Sequence, residues 1–349
     1  MVNIALVTGG SGYFGEVLCK QLLARGIHVR MFDLNFPGFS HPNLEFFRGT
    51  ILDRDAVKQA VSGVTKVFHN AAQNPLAKDL DLFWSVNKDG TQIIAEESAA
   101  AGVEKLIYTS STAVYGTPKL NPITENTKPN PAEDYGRAKL AGENACKNAA
   151  KYYGLDIAIV RPRTILGHGR LGTAHILFDW IQRGLDIPVL AGGNNRYQFV
   201  HADDLAWACI AASGVKGFTE YNIGAAEFGT MRELLQALID HAGTQSRIKS
   251  IPMWPTIPIA NLASKLGLSP LGPFHLLAYG RSTYFDISKA QKELGYAPRY
   301  SNSEMIIDTY NWYQANKLCL SEVGASHHKS PVRKQILALI PHALRIIPG

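Results

Sequence analysis

The chain has 349 residues, enough for one large domain or two modest ones with a true hydrophobic core. An apolar fraction of 46% and a charged fraction of 18% are those of a folded globular protein and exclude a disordered one. The formal charge of +6 is modest and unevenly placed, since no acid follows Glu322 while Lys329, Arg333, Lys334 and Arg345 are basic; the main body gives no case for nucleic-acid binding.

Cys19, Cys146, Cys209 and Cys319 are scattered and form no CxxC pair. That argues against a disulfide framework and a thiolate metal site, predicts no bound metal, and fits a reducing cytoplasm. No uninterrupted apolar stretch reaches the ~20 residues of a membrane span. Val2–Thr8 runs straight into glycines, as a first strand does and a secretory signal does not.

Up to residue 165, short apolar strands alternate with amphipathic helical stretches. Ile4–Thr8, Val29–Asp33, Glu45–Arg48, Lys66–Asn70, Lys105–Ser110 and Asp156–Arg161 read as strands, Gly15–Arg25 and Asp53–Val61 as helices. Alternation of this kind predicts parallel βαβ units, hence an α/β doubly wound (Rossmann) sheet that binds ligands at the carboxyl ends of its strands. Beyond Pro162 the pattern loosens. Gln198–Ala212 (strand into helix) and Tyr221–Gly224 are expected to return to the core sheet, within 196–225. Segments 166–195 and 226–320 are expected to form a smaller substrate-binding lobe, with a linker and a terminal helix in 321–349.

The first strand leads into TGGSGYFG, with Gly9, Gly12 and Gly15 at GxxGxxG spacing just before a helix. Small residues there let the backbone turn tightly and approach a pyrophosphate, whose charge is favoured at the helix N-terminus. Asp33 ends the second strand, where a carboxylate accepts from ribose hydroxyls and repels a 2′-phosphate. No arginine follows it directly, so NAD(H) is favoured over NADP(H). Asp53, ending GTILD, either meets the adenine edge or caps the helix that begins at Arg54.

Tyr135 and Lys139 form YGRAK; four residues apart on a helix, they share one face. A phenol titrates near pH 10, so a nearby ammonium and a positive nicotinamide ring are needed to bring it toward neutrality. In YTSSTAVYG (Tyr108–Gly116), Ser111 is the hydroxyl best placed to hold a substrate oxygen, ahead of Thr112. Ser110 is expected to pack or cap the strand end.

TGGSGYFG, FHNAA (Phe68–Ala72), VNKDGT (Val86–Thr91), TSSTAVYG and YGRAK, in that order, resemble the extended short-chain dehydrogenase/reductase superfamily, from about residue 3 to residue 315. The resemblance implies an NAD-dependent oxidoreductase and a homodimer. By it, Tyr13, Phe14, Ala71 and Ala72 lie along the cofactor. Ser111 orients the substrate oxygen, Tyr135 is the acid/base, and Lys139 grips the nicotinamide ribose. Asn87 either helps order the site or caps a helix.

Dehydratases of this superfamily carry an Asp-Glu pair just after the catalytic hydroxyl, where this chain has Thr112 and Ala113. RPRTILGHG (Arg161–Gly169) and YFDISKAQKELGYAP (Tyr284–Pro298) look like the 3β-hydroxysteroid dehydrogenase branch and its relatives acting on long-chain β-keto lipids. They put Arg163 and Thr164 toward the substrate. NRYQFVHADDLA (Asn195–Ala206) resembles instead the nucleotide-sugar epimerases, in which an arginine meets a diphosphate; Arg196 either does that or pairs with a surface acid. From His241 to Phe285 there is no acid, and IPMWPTIPIANLASKLGLSPL suits an apolar flap over a hydrophobic substrate or a proline-stiffened packed lobe.

The terminal SPVRKQILALIPHALRIIPG has apolar residues at helical spacing and a basic polar face. Within 330–349 this reads as peripheral contact with an anionic membrane from the cytoplasmic side, or as a helix docking on its own domain or a second subunit. Deleting residues 325–349 should abolish co-sedimentation with anionic liposomes while leaving turnover of a soluble substrate intact. Unchanged liposome binding would remove the membrane reading.

Overall fold

A computed structural model describes residues 4–73, 79–171, 174–252, 254 and 280–323. Seven strands make one parallel sheet: β1 (Ile4–Thr8), β2 (His28–Asp33), β3 (Leu44–Arg48), β4 (Lys66–His69), β5 (Lys105–Thr109), β6 (Ile157–Pro162) and β10 (Thr219–Ile223). Their order is β10-β6-β5-β4-β1-β2-β3, so the winding reverses between β1 and β4. A doubly wound sheet offers its ligand crevice at that switch point, outside the carboxyl ends of the strands.

The strands read as continuous apolar runs because both faces are covered. Ala5 and Val7 of β1, Ile107 of β5, and Ala158 and Val160 of β6 point to one face. There they pack with α1 (Tyr13–Leu23) and α7 (Ala202–Ala212). Leu6, Leu106, Tyr108, Ile157 and Ile159 point to the other, against α2 (Arg54–Val61), α4 (Thr91–Ala100) and α5 (Asp134–Tyr153). Cys19, Cys146 and Cys209 are free, buried thiols in these two layers.

A third apolar cluster gathers α6 (Ala174–Gln182), β8 (Ile187–Leu190), α8 (Met231–Ala242) and α10 (Asn302–Val323) around Phe178, Tyr197, Phe199 and Leu238. β8 pairs with β11 (Ile248–Ile251) in a separate two-stranded sheet. α3 (Leu80–Trp84) precedes α4 in the chain, and α9 (Ser288–Leu294) packs through Ala290 and Leu294 into the layer of α1 and α7.

One expectation needs correction. Of the two segments expected back in the core sheet, only Thr219–Ile223 joins it, as its edge strand beside β6. β9 (Val200–His201) pairs instead with β7 (Ile165–Leu166). Two residues suffice only to open α7, whose N-cap is His201, and it is α7 that reaches the core. Most of the proposed flap and all of 330–349 lie outside the described residues.

The 20-residue helix α5, packed on the main sheet, is tied to it by a buried ion pair. Arg161 of β6 donates from Nε to Glu143 Oε1 (2.8 Å) and from Nη2 to Oε2 (2.7 Å), with both side chains fully buried. Its Nη1 donates to Tyr115 Oη (2.8 Å), and Tyr115 donates to Asn222 of β10. Removing one member leaves a buried charge uncompensated, a loss of about 3–5 kcal/mol. Arg161→Gln should therefore shift the urea unfolding midpoint far downward; a change below about 1 kcal/mol, the worth of a surface pair, would contradict this.

Candidate active site

The first site element is the turn between β1 and α1. Gly9 has φ +67° and its absent side chain faces Ala71, since a Cβ would lie 2.8 Å from Ala71 N. A Cβ on Gly15 would meet Gly9 O at 2.1 Å, so only glycine lets the turn fold under the helix. Gly12 N-caps α1 with no side-chain acceptor, leaving the first amides of α1 directed outward. Orphan amides, a narrow cradle and a helix N-terminus fit the pyrophosphate of a dinucleotide. Phe14 is buried, while Tyr13 is half-buried with the Arg170 guanidinium 5.4 Å from its ring centre.

Asp33 ends β2 beside this turn. Its Oδ2 accepts from Ser11 N (3.1 Å) and its Oδ1 from Asn35 N (3.0 Å). A carboxylate has about four acceptor sites, so two remain for a ribose diol. Arg48, opposite Asp33 in register, turns its guanidinium over Phe36 and its Nε to Leu34 O. Asp53 is the N-cap of α2, accepting from Asp55 N and Ala56 N, which accounts for its place in the sequence.

A buried relay joins the glycine turn to the Asn87 segment. Thr8 Oγ1 accepts from the amides of Asn70 and Ala71 and lies 2.7 Å from His69 Nδ1. Thr91 Oγ1 donates to Asn87 O, so it accepts from His69 Nε2 (3.0 Å), which fixes the proton there. Burial, aided by the Lys139 charge, drives the His69 pKa down to about 3, so the relay stays neutral. Ala72 is exposed just beyond it.

Asn87 is no helix cap. It sits inside a π-helical turn, Ser85–Gly90, a wound segment frequent at functional sites. Its Nδ2 donates to Phe83 O (2.9 Å) and Gln73 O (3.2 Å), while its buried Oδ1 has no hydrogen-bond partner among the described residues.

Tyr135 and Lys139 occupy the first turns of α5, and the stripe continues one turn on to Glu143. Lys139 Nζ donates to Thr109 O (2.9 Å) at the carboxyl end of β5 and lies 5.0 Å over the Tyr108 ring. Close packing of α5 requires Gly136 and Gly142, where a Cβ would come within 2.5 Å of Ala113 O and 2.4 Å of Tyr108 Oη. Ser111 N-caps a short 3-10 helix, Thr112–Tyr115, by accepting from Ala113 N, and its hydroxyl is near enough to the Tyr135 phenol to favour phenolate. Thr112 is buried. Ser110 donates to Glu143 Oε1 (2.7 Å), so it packs as expected.

Burial raises the Tyr135 pKa, and the Arg170 guanidinium and then Ser111 pull it back down. The spacing argument assigned that task to the Lys139 ammonium. In the fold the ammonium is turned to Thr109 O, and the cation acting on the phenol is Arg170. Arg170 lies in the loop after β7 and had no helical spacing to reveal it. Glu143 did have such a signal, four residues beyond Lys139.

Thr164 Oγ1 lies 3.3 Å from Tyr197 Oη, and the Arg163 guanidinium stacks 4.2 Å from the Tyr197 ring centre. Arg196 is exposed between the rings of Phe228 (4.8 Å) and Tyr284 (4.7 Å), and forms no ion pair among the described residues. His168, His201 and Asp308 converge, with ligand atoms within 4.8 Å of one another. His201 Nδ1 accepts from Asp203 N, so the neutral ring presents a proton and not a lone pair to this group.

Residues 5–224 match the NAD dependent epimerase/dehydratase family. An uncharacterized protein of Sinorhizobium fredii is 73% identical over the whole chain and 88% of its own length. The sterol-4-alpha-carboxylate 3-dehydrogenase, decarboxylating, of Mus musculus is 30% identical over 86% of this chain and 88% of its own. A UDP-glucose 4-epimerase of Thermus thermophilus, solved in complex with NAD, superposes with a TM-score of 0.70 at 26% identity, covering 89% of this chain and 99% of that one.

Burial lowers the Lys139 pKa to about 8, with Glu143 opposing, against the ordinary lysine value of 10.5. Above about pH 8 the unfolded chain keeps a proton that the folded chain releases, so this group makes stability rise with pH toward 10.5. Below about pH 8 both states are charged and its desolvation cost is fully present. Lys105 is lowered to about 8 as well and shares the window. Lys139→Met should flatten, without abolishing, the rise in urea stability between about pH 8 and 9, below the range in which the unfolded chain ionises the thiols of Cys19, Cys146 and Cys209 that burial keeps neutral in the fold; an unchanged slope would refute the assignment.

Proposed function

The chain belongs to the NAD dependent epimerase/dehydratase family, and we propose that it interconverts a ketone and a secondary alcohol on a hydrophobic, sterol-like or long-chain 3-oxo lipid substrate. It is an enzyme with NAD as cofactor. The amides opening α1 at Tyr13 and Phe14, with Gly9, Gly12 and Gly15 beneath, would hold the pyrophosphate. Asp33 would hold the adenine ribose, Ala71 and Ala72 would line the dinucleotide, and Lys139 would meet the nicotinamide ribose. When bound, NAD supplies the acceptor or donor of a hydride at C4 of its nicotinamide.

The residues do the rest. Ser111 holds the substrate oxygen, and Tyr135 takes its proton as the alcohol is oxidised or returns it as the ketone is reduced. The observation that carries this is the meeting of Ser111, whose hydroxyl caps the turn at the carboxyl end of β5, with the Tyr135–Lys139 face of α5, where buried Lys139 donates to Thr109 O. Arg170 favours phenolate, offsetting burial and bringing the phenol closer to a working pKa. Thr112 and Ala113 after Ser111 supply no second acid and base, which speaks against dehydration. The sterol dehydrogenase relative and the acid-free 241–285 span support the hydrophobic substrate. Peripheral membrane contact through 330–349 suits delivery of such a substrate, and the homodimer belongs to the same reading by resemblance.

A second reading is a nucleotide-sugar 4-epimerase, favoured by the likeness to the Thermus enzyme and by Arg196 at the edge of the lobe. In that reading Tyr135 removes and restores a proton on one sugar oxygen while the cofactor is retained. Mass spectrometry of the purified chain separates the two: tightly held NAD with a UDP-sugar supports the epimerase, exchangeable NAD with a lipid the dehydrogenase. In either case Tyr135→Phe should lower kcat by roughly 10³-fold, within the range for loss of a general acid/base, and keep NAD affinity within about twofold. Full turnover by the variant would sink the assignment.

A further inference from the structure

Two arginines two residues apart leave β6 on the same side of the sheet, and their guanidinium edges have different fates. Arg161 spends its Nε/Nη2 edge on both oxygens of Glu143. The same edge of Arg163 has no acceptor: its Nε and Nη2 are buried, and neither meets a hydrogen-bond partner among the described residues. No described carboxylate forms an ion pair with Arg163, whereas Arg161 has two, Glu143 and Glu220. Buried donors left unmet are costly, and such an exception asks for a reason.

The Arg163 side chain is also held in place. Its guanidinium lies 4.2 Å from the centre of the Tyr197 ring and 5.7 Å from that of Phe285, and both rings are buried. Phe285 is fixed through its amide, which donates to Gln198 Oε1 (2.9 Å). A planar fork fixed by stacking loses little freedom on binding, and its Nε/Nη2 edge matches a carboxylate or phosphate with two parallel hydrogen bonds. Arg163 N donates to Ile223 O, so the residue stands at the carboxyl ends of β6 and β10. The neighbouring β5, whose end carries Ser111, adjoins β6 through Ser110 N and Val160 O. Arg163 thus stands at the same edge of the sheet as Ser111, with its Nε/Nη2 edge enclosed and unmet among the described residues.

We propose that the Nε/Nη2 edge of Arg163 is an oxyanion subsite of the substrate pocket, and that the substrate is an amphiphile carrying a carboxylate or phosphate close to its reacting carbinol. The inference rests on the redox reading above and narrows it from a hydrophobic substrate to one with an anionic head.

Isothermal titration of the NAD-loaded full chain tests it with two probe pairs: 3-hydroxydodecanoate against its methyl ester, and UDP against uridine. The wild type should bind one anionic member at least about 10-fold more tightly than its neutral partner, as a bidentate charged contact implies. A gap on the lipid pair supports the amphiphile; a gap on the nucleotide pair alone is the behaviour of the epimerase reading and overturns it. Arg163→Met should erase the gap, and Arg163→Lys, a point charge without the fork, should restore only part of it. NAD affinity and urea midpoint certify that each variant is folded. A gap of equal size in Arg163→Met, or no gap on either pair in the wild type, overturns the subsite. NADH formation from the lipid alcohols is read separately. An Arg163-dependent gap without NADH keeps the subsite and removes the redox reading; NADH from acid and ester alike, without a gap, does the reverse.

Discussion

The arrangement of the site depends on the buried pair between Arg161 and Glu143. Glu143 lies on the same stripe of α5 as Tyr135 and Lys139, so fixing its carboxylate against β6 fixes the rotation and height of that helix. The same carboxylate accepts from Ser110, one residue before the hydroxyl that acts on the phenol. Helix, strand end and hydroxyl loop are thereby held to one reference point. A pair of this kind, isolated from water, gains more in geometric definition than in net stability, because desolvation consumes much of its Coulombic attraction.

Around that point the electrostatics are set by burial first and by charges second. Burial raises the Tyr135 phenol and lowers the Lys139 ammonium, so both neutral forms gain ground. Glu143 opposes the change at Lys139 and Arg170 opposes it at Tyr135. Arg170 also faces Tyr13 at the head of the glycine turn, so the charge of one guanidinium is felt in both halves of the crevice. The His69 relay ties the same turn to Asn87 through neutral hydrogen bonds, which keeps further charge out of a buried layer.

The sheet explains why the pieces meet at one edge. Reversal of winding between β1 and β4 opens the crevice there, with the glycine turn after β1, the Asn70–Ala71 amides after β4 and Ser111 after β5. Arg163 follows β6 on the same edge. Its unmet fork and the aromatic rings that hold it give this side of the crevice a polar point within apolar walls. Pockets that bind small molecules combine mostly apolar lining with a few such points, and these set orientation.

The amino-acid sequence by itself determined the doubly wound sheet, the glycine turn, Asp33 at the second strand end and the Tyr135–Lys139 face. Each is written in local period or in spacing along one element, and needs no knowledge of distant neighbours. Strand boundaries fell within a residue or so for the same reason. Only the tertiary structure decided that Val200–His201 leaves the main sheet, since strand pairing depends on which partner is within reach. It alone brought the Arg170 charge to bear on Tyr135, left the Arg163 fork without a carboxylate among the described residues and gave Asn87 its π-turn. These facts join segments far apart in the chain, and no periodicity within either segment records them.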